Sequence, residues 1–213
     1  MVISFLGAES LKVQFGDIVI AYNPISKNSK LKSTTFGSDI VMTSLDHNDM
    51  NGVENASRGD RAPFVISGPG EYEVKGVYVK GYPSESKYGG EVRLNTIYTI
   101  SLEGMNLCFL GALSNDQLPH DILEDLEEVD ILFTPIGGDG VLTPAEAYKI
   151  AVQIESRIII PIHHGSLGAD NALKTFIKEG GGDSPQTLDK LTIKKKDLEG
   201  KEGEIIVLNP IAS

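Results

Sequence analysis

Short apolar runs bounded by turn residues fill the chain up to Leu110, whereas clear helical spacing appears only after that point. The alternating runs within residues 3–22 predict a hairpin that turns at Phe15-Gly16-Asp17. At least four further strands are predicted within residues 63–111, and the last two are separated by Glu103-Gly104. The first half of the chain is therefore predicted to be mainly a meander of strands.

Helices and buried strands alternate in the second half. Residues 118–130 place four apolar side chains at helical spacing, namely Ile122, Leu123, Leu126 and Val129. The segment TPAEAYKIAVQIE opens with Thr143 as N-cap, Pro144 at the first helical position and Glu146 completing a capping box. The isoleucine-rich runs ILFTPI and RIIIPIHH fit buried strands between helices. This order predicts an α/β protein with two packed sheets and helices outside them.

Composition excludes some partners and suggests a compartment. The 30 acidic and 19 basic side chains give a net charge of -11, which opposes attraction to a phosphate backbone, so no nucleic-acid partner is expected. The chain contains no apolar run of about 18 residues, and no cation precedes the apolar start, so we expect a cytoplasmic protein without a membrane partner. The single cysteine, Cys108, lies in an apolar run and is interpreted as core packing instead of a nucleophile.

Polar residues that follow the apolar strand Ile40-Val41-Met42 are candidates for a site, because α/β proteins place their chemistry at the carboxyl ends of strands. In the segment TSLDHNDMNG, His47 is either a metal ligand or an imidazole hydrogen-bonded at a strand end. Asp49 is either a ligand or an acid in an Asx-turn or helix N-cap. Asp46 and His120 are predicted to lie at the surface.

The pair His163-His164 ends another predicted strand. Because consecutive strand residues face opposite sides, at most one of these imidazoles is expected to face a shared pocket.

The segment DIVMTSLDHNDMNGVE resembles the second-strand motif of the metallo-β-lactamase fold, whose form His-x-His-x-Asp-His falls here on residues 45–50. The segments ISFLGAES, VISGPGEYEVKGVYVKGYPS, TPIGG and RIIIPIHH resemble other parts of that fold in the same order. The resemblance covers nearly the whole chain and implies a four-layer αββα sandwich of two mixed β-sheets, with residues 1–213 forming a single domain. It points to the branch of metal-dependent hydrolases that includes sugar-phosphate lactonases.

The same resemblance implies seven metal-ligand positions. The first ion would be held by residues 45 and 47 and by an imidazole near Ser86, and the second by Asp49, residue 50 and His163, with a bridging carboxylate at residue 112. Those positions hold Leu45, Met50 and Ala112, so His47, Asp49 and His163 remain as candidate metal ligands, with Asp49 as the catalytic residue if the protein is an enzyme. Two further departures are Ala8, where the family has His, and Asn23, where it has Asp.

Leucine and alanine offer no lone pair to a dication, and a thioether is too soft a donor for zinc-type ions. We therefore expect a binding or regulatory module without a metal cofactor, whose partner is a small molecule or a protein. The alternative is a hydrolase of phosphoesters or lactones that uses one divalent ion, Zn or Mn, held by His47, Asp49 and His163. A third interpretation is a structural subunit of a homo-oligomer.

Overall fold

The computed structural model describes residues 1–59, 62–182 and 184–211, and it contains two mixed β-sheets. Strands and helices are numbered along the chain. The six-stranded sheet has the order β13 (Leu191–Thr192), β1 (Val2–Gly7), β2 (Ser10–Phe15), β3 (Ile18–Tyr22), β4 (Ile40–Met42) and β5 (Phe64–Ile66). The eight-stranded sheet has the order β12 (Gln186–Leu188), β14 (Glu204–Leu208), β11 (Ile158–Ile162), β10 (Ile131–Pro135), β9 (Met105–Phe109), β8 (Arg93–Leu102), β7 (Val77–Ser86) and β6 (Gly70–Val74).

The predicted division between meander and crossover units is confirmed within the eight-stranded sheet. Strands β6 to β9 pair antiparallel, whereas β9, β10, β11 and β14 are neighbours that run parallel. The hairpin predicted to turn at Phe15-Gly16-Asp17 is confirmed, because β2 and β3 pair antiparallel with Phe15 opposite Ile18. The first predicted run forms two strands and not one, because it is broken at Ala8 and Glu9, where Ala8 has a left-handed backbone with φ of 55°; the two strands, β1 and β2, pair antiparallel.

Among the described residues, three α-helices cover the outer face of the eight-stranded sheet: α1 (His120–Asp125), α2 (Pro144–Ile154) and α3 (Ala172–Glu179). The capping box at the start of α2 is present, because the Thr143 hydroxyl accepts the Glu146 N–H and the Glu146 side chain accepts the Thr143 N–H. Helix α1 is shorter than predicted and ends before Leu126. His120, at its start, is exposed as expected.

The main core lies between the sheets, and a second core lies beneath the helices. Strand β10 contributes to both, because Ile131 and Phe133 face the other sheet while Leu132 faces the helices. Cys108 belongs to the second core and is fully buried, as predicted, and this burial raises the pKa of its thiol. The fold class inferred from the sequence is thus confirmed. In the described part of the chain, no helix is long and apolar enough to cross a bilayer.

Candidate functional site

His47 and Asp49 lie side by side in the loop that follows β4. The Asp49 N–H donates to His47 Nδ1 at 3.2 Å, and His47 Nδ1 lies 3.4 Å from Asp49 Oδ2. The imidazole is more exposed, with 27% of the His47 side chain accessible against 13% for Asp49. Asp46, between strand and site, points to solvent and accepts from Asn51, as predicted for a surface acid.

The carboxylate of Asp49 makes long-range contacts instead of capping its own loop. One oxygen accepts a short hydrogen bond from the Ser29 hydroxyl, and the other accepts the Tyr88 hydroxyl at 2.7 Å. The short 3₁₀ turn that follows begins at Val53 and has Gly52 at its N-cap. The interpretation of Asp49 as an Asx-turn or N-cap acid was therefore wrong, because its oxygens are used by partners from distant segments.

A buried carboxylate–imidazole pair lies next to this loop. His163 follows β11 in a left-handed backbone conformation with φ of 58°, and its N–H donates to the Ala8 carbonyl at 2.6 Å. Its Nδ1 lies 2.6 Å from Glu9 Oε1, and both side chains are fully buried. The other Glu9 oxygen accepts from Asn23 Nδ2 at 2.8 Å. Glu9, which sequence reasoning missed, thus fixes the orientation of the His163 ring.

The two histidines after β11 face different surroundings, which confirms that only one of them faces the predicted site. His164 Nε2 lies 3.2 Å from the Pro161 carbonyl oxygen, and its ring packs 5.4 Å from that of Phe5. Burial lowers the pKa of His164. In contrast, His163 Nε2 is buried without a hydrogen-bond partner among the described residues.

An apolar cluster occupies the positions where the metallo-β-lactamase resemblance implies ligands. Leu45, Met50, Ala112 and Val141 pack together, and none of the four is more than 5% exposed. The fully buried amide of Asn95 holds the Ala112 loop in place, because Asn95 Oδ1 accepts the Ala112 N–H at 2.9 Å. The sequence-predicted positions therefore do meet in space, but as a small hydrophobic core.

Tyr88 contacts all three candidate ligands and was not found by sequence reasoning. Its ring stands nearly perpendicular to the imidazoles of His47 and His163, with centroid distances of 4.9 and 5.1 Å. Its hydroxyl donates to Asp49, as described above, and its backbone N–H donates to the Ser86 hydroxyl at 3.2 Å. Burial and the hydrogen bond to Asp49 raise the pKa of Tyr88, so it remains a neutral donor.

Residues 86–90, which we call the strap, position this tyrosine. The Lys87 N–H donates to the Gly140 carbonyl at 3.1 Å. A cavity of about 330 Å³ opens beside the strap, and its lining residues are His47, Lys87, Tyr88, Gly89, Gly90, Asp139 and Gly140. Two of these side chains, Lys87 and Asp139, carry opposite charges, so the cavity wall offers both a cation and an anion to a ligand.

Substitution of Gly140 by alanine is expected to displace the strap and lower the free energy of unfolding by about 2–4 kcal/mol. A Cβ atom at this position would lie 2.6 Å from the Lys87 carbonyl oxygen, and the backbone φ of 93° already disfavours a side chain. Urea unfolding would measure the loss. Gly76→Ala is the matched control, because Gly76 has a φ of 77° but open space around it; equal losses in the two variants would contradict the predicted clash.

The side chains at this site do not fit a bridged pair of metal ions. Leu45 and Ala112 have no lone pair to donate, and the Tyr88 ring lies against the candidate imidazoles. Within residues 1–59, 62–182 and 184–211, no three or more His, Cys, Asp or Glu side chains come close enough together to hold an ion. The structure brings His47 and Asp49 together. His163 instead packs against the Tyr88 ring, with 5.1 Å between the ring centroids.

The chain is similar in sequence and fold to proteins of one superfamily. The pattern of the β-lactamase superfamily domain matches residues 2–163. A metal-dependent hydrolase of Listeria innocua is 25% identical over 199 residues, covering 78% of this chain and 86% of that protein. The structure of a Thermotoga maritima protein, named as a proposed Zn-dependent hydrolase of the metallo-β-lactamase superfamily, is 26% identical with a TM-score of 0.73 and covers 97% of both chains.

A metallo hydrolase from Ignicoccus hospitalis has a similar fold at lower identity. It is 15% identical with a TM-score of 0.68, covering 98% of this chain and 95% of the other. At this identity the likeness concerns the arrangement of sheets and helices, and it agrees with the two mixed sheets described above.

Proposed function

We propose that this chain, which belongs to the β-lactamase superfamily, uses the fold of metal-dependent hydrolases as a binding or regulatory module and not as a two-ion enzyme. Its relatives are named for metal-dependent hydrolysis, which makes a hydrolase the first expectation for any member. However, folds keep their architecture when sites change, so activity has to be argued from the side chains at the site. Those side chains favour binding without a metal pair.

The observation that carries this proposal is the apolar cluster at the strand ends. Leu45, Met50 and Ala112 are buried and in contact at positions where a two-ion centre needs imidazoles and a bridging carboxylate. Two dications about 3.5–4 Å apart repel each other strongly unless an anionic bridge lies between them. Alanine provides no such bridge, so a pair of ions would have neither donors nor charge compensation.

The same edge of the sheets offers room for a ligand that is not a metal. Besides the cavity beside the strap, a second cavity of about 390 Å³ is lined by apolar side chains of β1 and of the loop after β14, together with Lys32, His164 and Ser166. Cavities of this size accommodate small organic molecules. A small molecule or a short protein segment is therefore the proposed partner.

The proposal is tested by metal analysis of the purified full-length chain. After incubation with excess Zn²⁺ or Mn²⁺ and removal of free ions, elemental analysis is expected to find well below one ion per chain, because too few donors converge. The variant Asp49→Ala serves as the control for adventitious binding and should retain the same small amount. Tight binding of two ions by the wild-type chain, lost in this variant, would contradict the proposal.

A second candidate function, a hydrolase with a single divalent ion, is favoured by the Glu9–His163 pair. Metal-binding histidines commonly donate one ring nitrogen to a carboxylate so that the other is free for the ion, and His163 Nε2 is unpartnered in this way. His163, His47 and Asp49 would be the ligands, and a bound ion would supply an activated water. Hydrolysis of p-nitrophenyl phosphoesters and simple lactones tests this alternative, which fails if His47→Ala leaves the rate unchanged.

A further inference from the structure

We infer that a cavity beside β1 binds a small carboxylic acid with an apolar body, and that the charged end of this ligand lies against Lys32. The walls of the cavity, which we call the β1 cavity, include Phe5, Ile25, Lys32, His164 and Ile211, and its volume is about 390 Å³. The inference rests on the proposed function, in which the fold serves as a binding module. It goes further because it names the chemical class of the ligand and the side chain that selects it.

The walls of the β1 cavity are largely apolar. Phe5, Leu6 and Ile25 line it, and none of the three is more than 9% exposed. Ile211 also lines the cavity but is 43% exposed, and its N–H donates to the Phe5 carbonyl at 2.9 Å, which holds this residue beside β1. Burial of apolar surface is favourable, so an apolar ligand that covers the Ile211 side chain gains affinity from it.

Lys32 gives the β1 cavity a positive charge. No Asp or Glu of the described residues lines this cavity, whereas four other cavities each have at least one in their walls. Residues 18–38 contain three lysines and no acid, so the chain around Lys32 is positive although the net charge of the whole chain is -11. Burial lowers the pKa of His164, so its imidazole adds no second charge near neutral pH.

This combination of one cation and apolar walls favours a monocarboxylate over other small molecules. Lys32 makes no ion pair with the described residues, so its ammonium group is available to a ligand. An amine would be repelled by this group, and an alcohol would leave its charge uncompensated. A phosphate ester carries up to two charges and would need further donors, which the apolar walls do not provide. A carboxylate with an apolar body matches both parts of the cavity.

The experiment is a ligand-detected NMR titration of the intact chain with octanoate, 1-octanol and octylamine, which share an apolar body and differ in charge. Octanoate is expected to bind about threefold more tightly than octanol, and octylamine should bind most weakly. Hexanoate is expected to bind about tenfold more weakly than octanoate, because two fewer methylene groups are buried.

Two variants with matched controls assign the ligand to the β1 cavity. Lys32→Met removes the charge and keeps an apolar side chain, so it should weaken octanoate binding about threefold to fivefold and leave octanol binding unchanged. Lys30→Met, at an exposed lysine outside the lining, should change neither. Ile211→Ala should weaken both ligands about threefold, whereas Val152→Ala, at an exposed apolar residue of α2, should weaken neither.

The inference is overturned if the wild-type chain does not bind octanoate, or if it binds octylamine equally well. It is also overturned if Lys32→Met leaves octanoate binding unchanged, or if Ile211→Ala affects neither ligand. If Lys32→Met does not fold, as judged by circular dichroism, Lys32→Gln replaces it with the same expectation. A metal-free chain that fails to bind octanoate contradicts only this inference, whereas tight binding of two metal ions contradicts the proposed function whatever the octanoate result.

Discussion

Replacement of His163 by alanine is expected to lower the free energy of unfolding by about 3–5 kcal/mol, because it leaves the buried Glu9 carboxylate without its imidazole partner. Glu9 and His163 are both fully buried and lie 2.6 Å apart. Without the imidazole, the Glu9 carboxylate keeps the single hydrogen bond from Asn23 Nδ2. Equilibrium urea unfolding, followed by circular dichroism near neutral pH, measures the loss.

His164→Ala is the matched control for this variant. It removes the same side chain one residue further along, where the ring contacts Phe5 and the Pro161 carbonyl and meets no carboxylate of the described residues. A loss of about 1–2 kcal/mol is expected there. In the double variant Glu9→Leu/His163→Ala the carboxylate of this buried pair is also removed, so part of the stability should return. Equal losses for the two histidines would show that the contact with Glu9 has no special weight.

The parts of the fold that sequence predicted well are those set by local patterns. The N-terminus of α2 could be placed because Thr143, Pro144 and Glu146 form a cap whose partners lie within three residues of each other. The parallel strands β10 and β11 could be placed because buried strands consist of continuous isoleucine and leucine runs. In both cases the information lies within one segment of the chain.

The candidate site was predicted only in part, because its contacts join distant segments. Glu9 and His163 form a pair although they lie 154 residues apart in the sequence. Tyr88 and Asp49 are hydrogen-bonded although they lie 39 residues apart. No sequence pattern predicts the left-handed backbone at His163, because such conformations are unusual outside glycine. An isolated acid within an alternating apolar segment was the available hint for Glu9. For Tyr88 the hint was an aromatic residue directly before Gly89-Gly90.

The small apolar cluster at the site is separate from the two larger cores. The cluster of Leu45, Met50, Ala112 and Val141 is distinct from the core between the sheets and from the core beneath the helices. Exchange of side chains in this small cluster is therefore expected to leave the packing between the two sheets unchanged. Different side chains at the positions where the family resemblance implies ligands are therefore compatible with the same fold.

Substitution of Ala112 by aspartate, which restores the bridging carboxylate implied by the family resemblance, is expected to lower the free energy of unfolding by about 3–5 kcal/mol. Ala112 is fully buried against Leu45, Met50 and Val141, so the new carboxylate would meet no donor among these side chains. Burial raises the pKa of such a carboxyl, so its charged form is disfavoured in the folded state and the loss should be larger near about pH 8 than near about pH 5. Thermal and urea unfolding at both pH values measure it.

Ala112→Asn is the control with nearly the same shape and no charge, and it should cost less than the aspartate variant and show no such pH dependence. Addition of Zn²⁺ or Mn²⁺ is expected to leave the unfolding curve of Ala112→Asp unchanged, because Leu45 and Met50 still provide no suitable donors. Recovery of stability by either ion in this single variant would mean that the remaining side chains do assemble a metal centre. The apolar cluster would then be a readily converted metal site, and the argument against a metal in the wild-type chain would rest on the missing bridge alone.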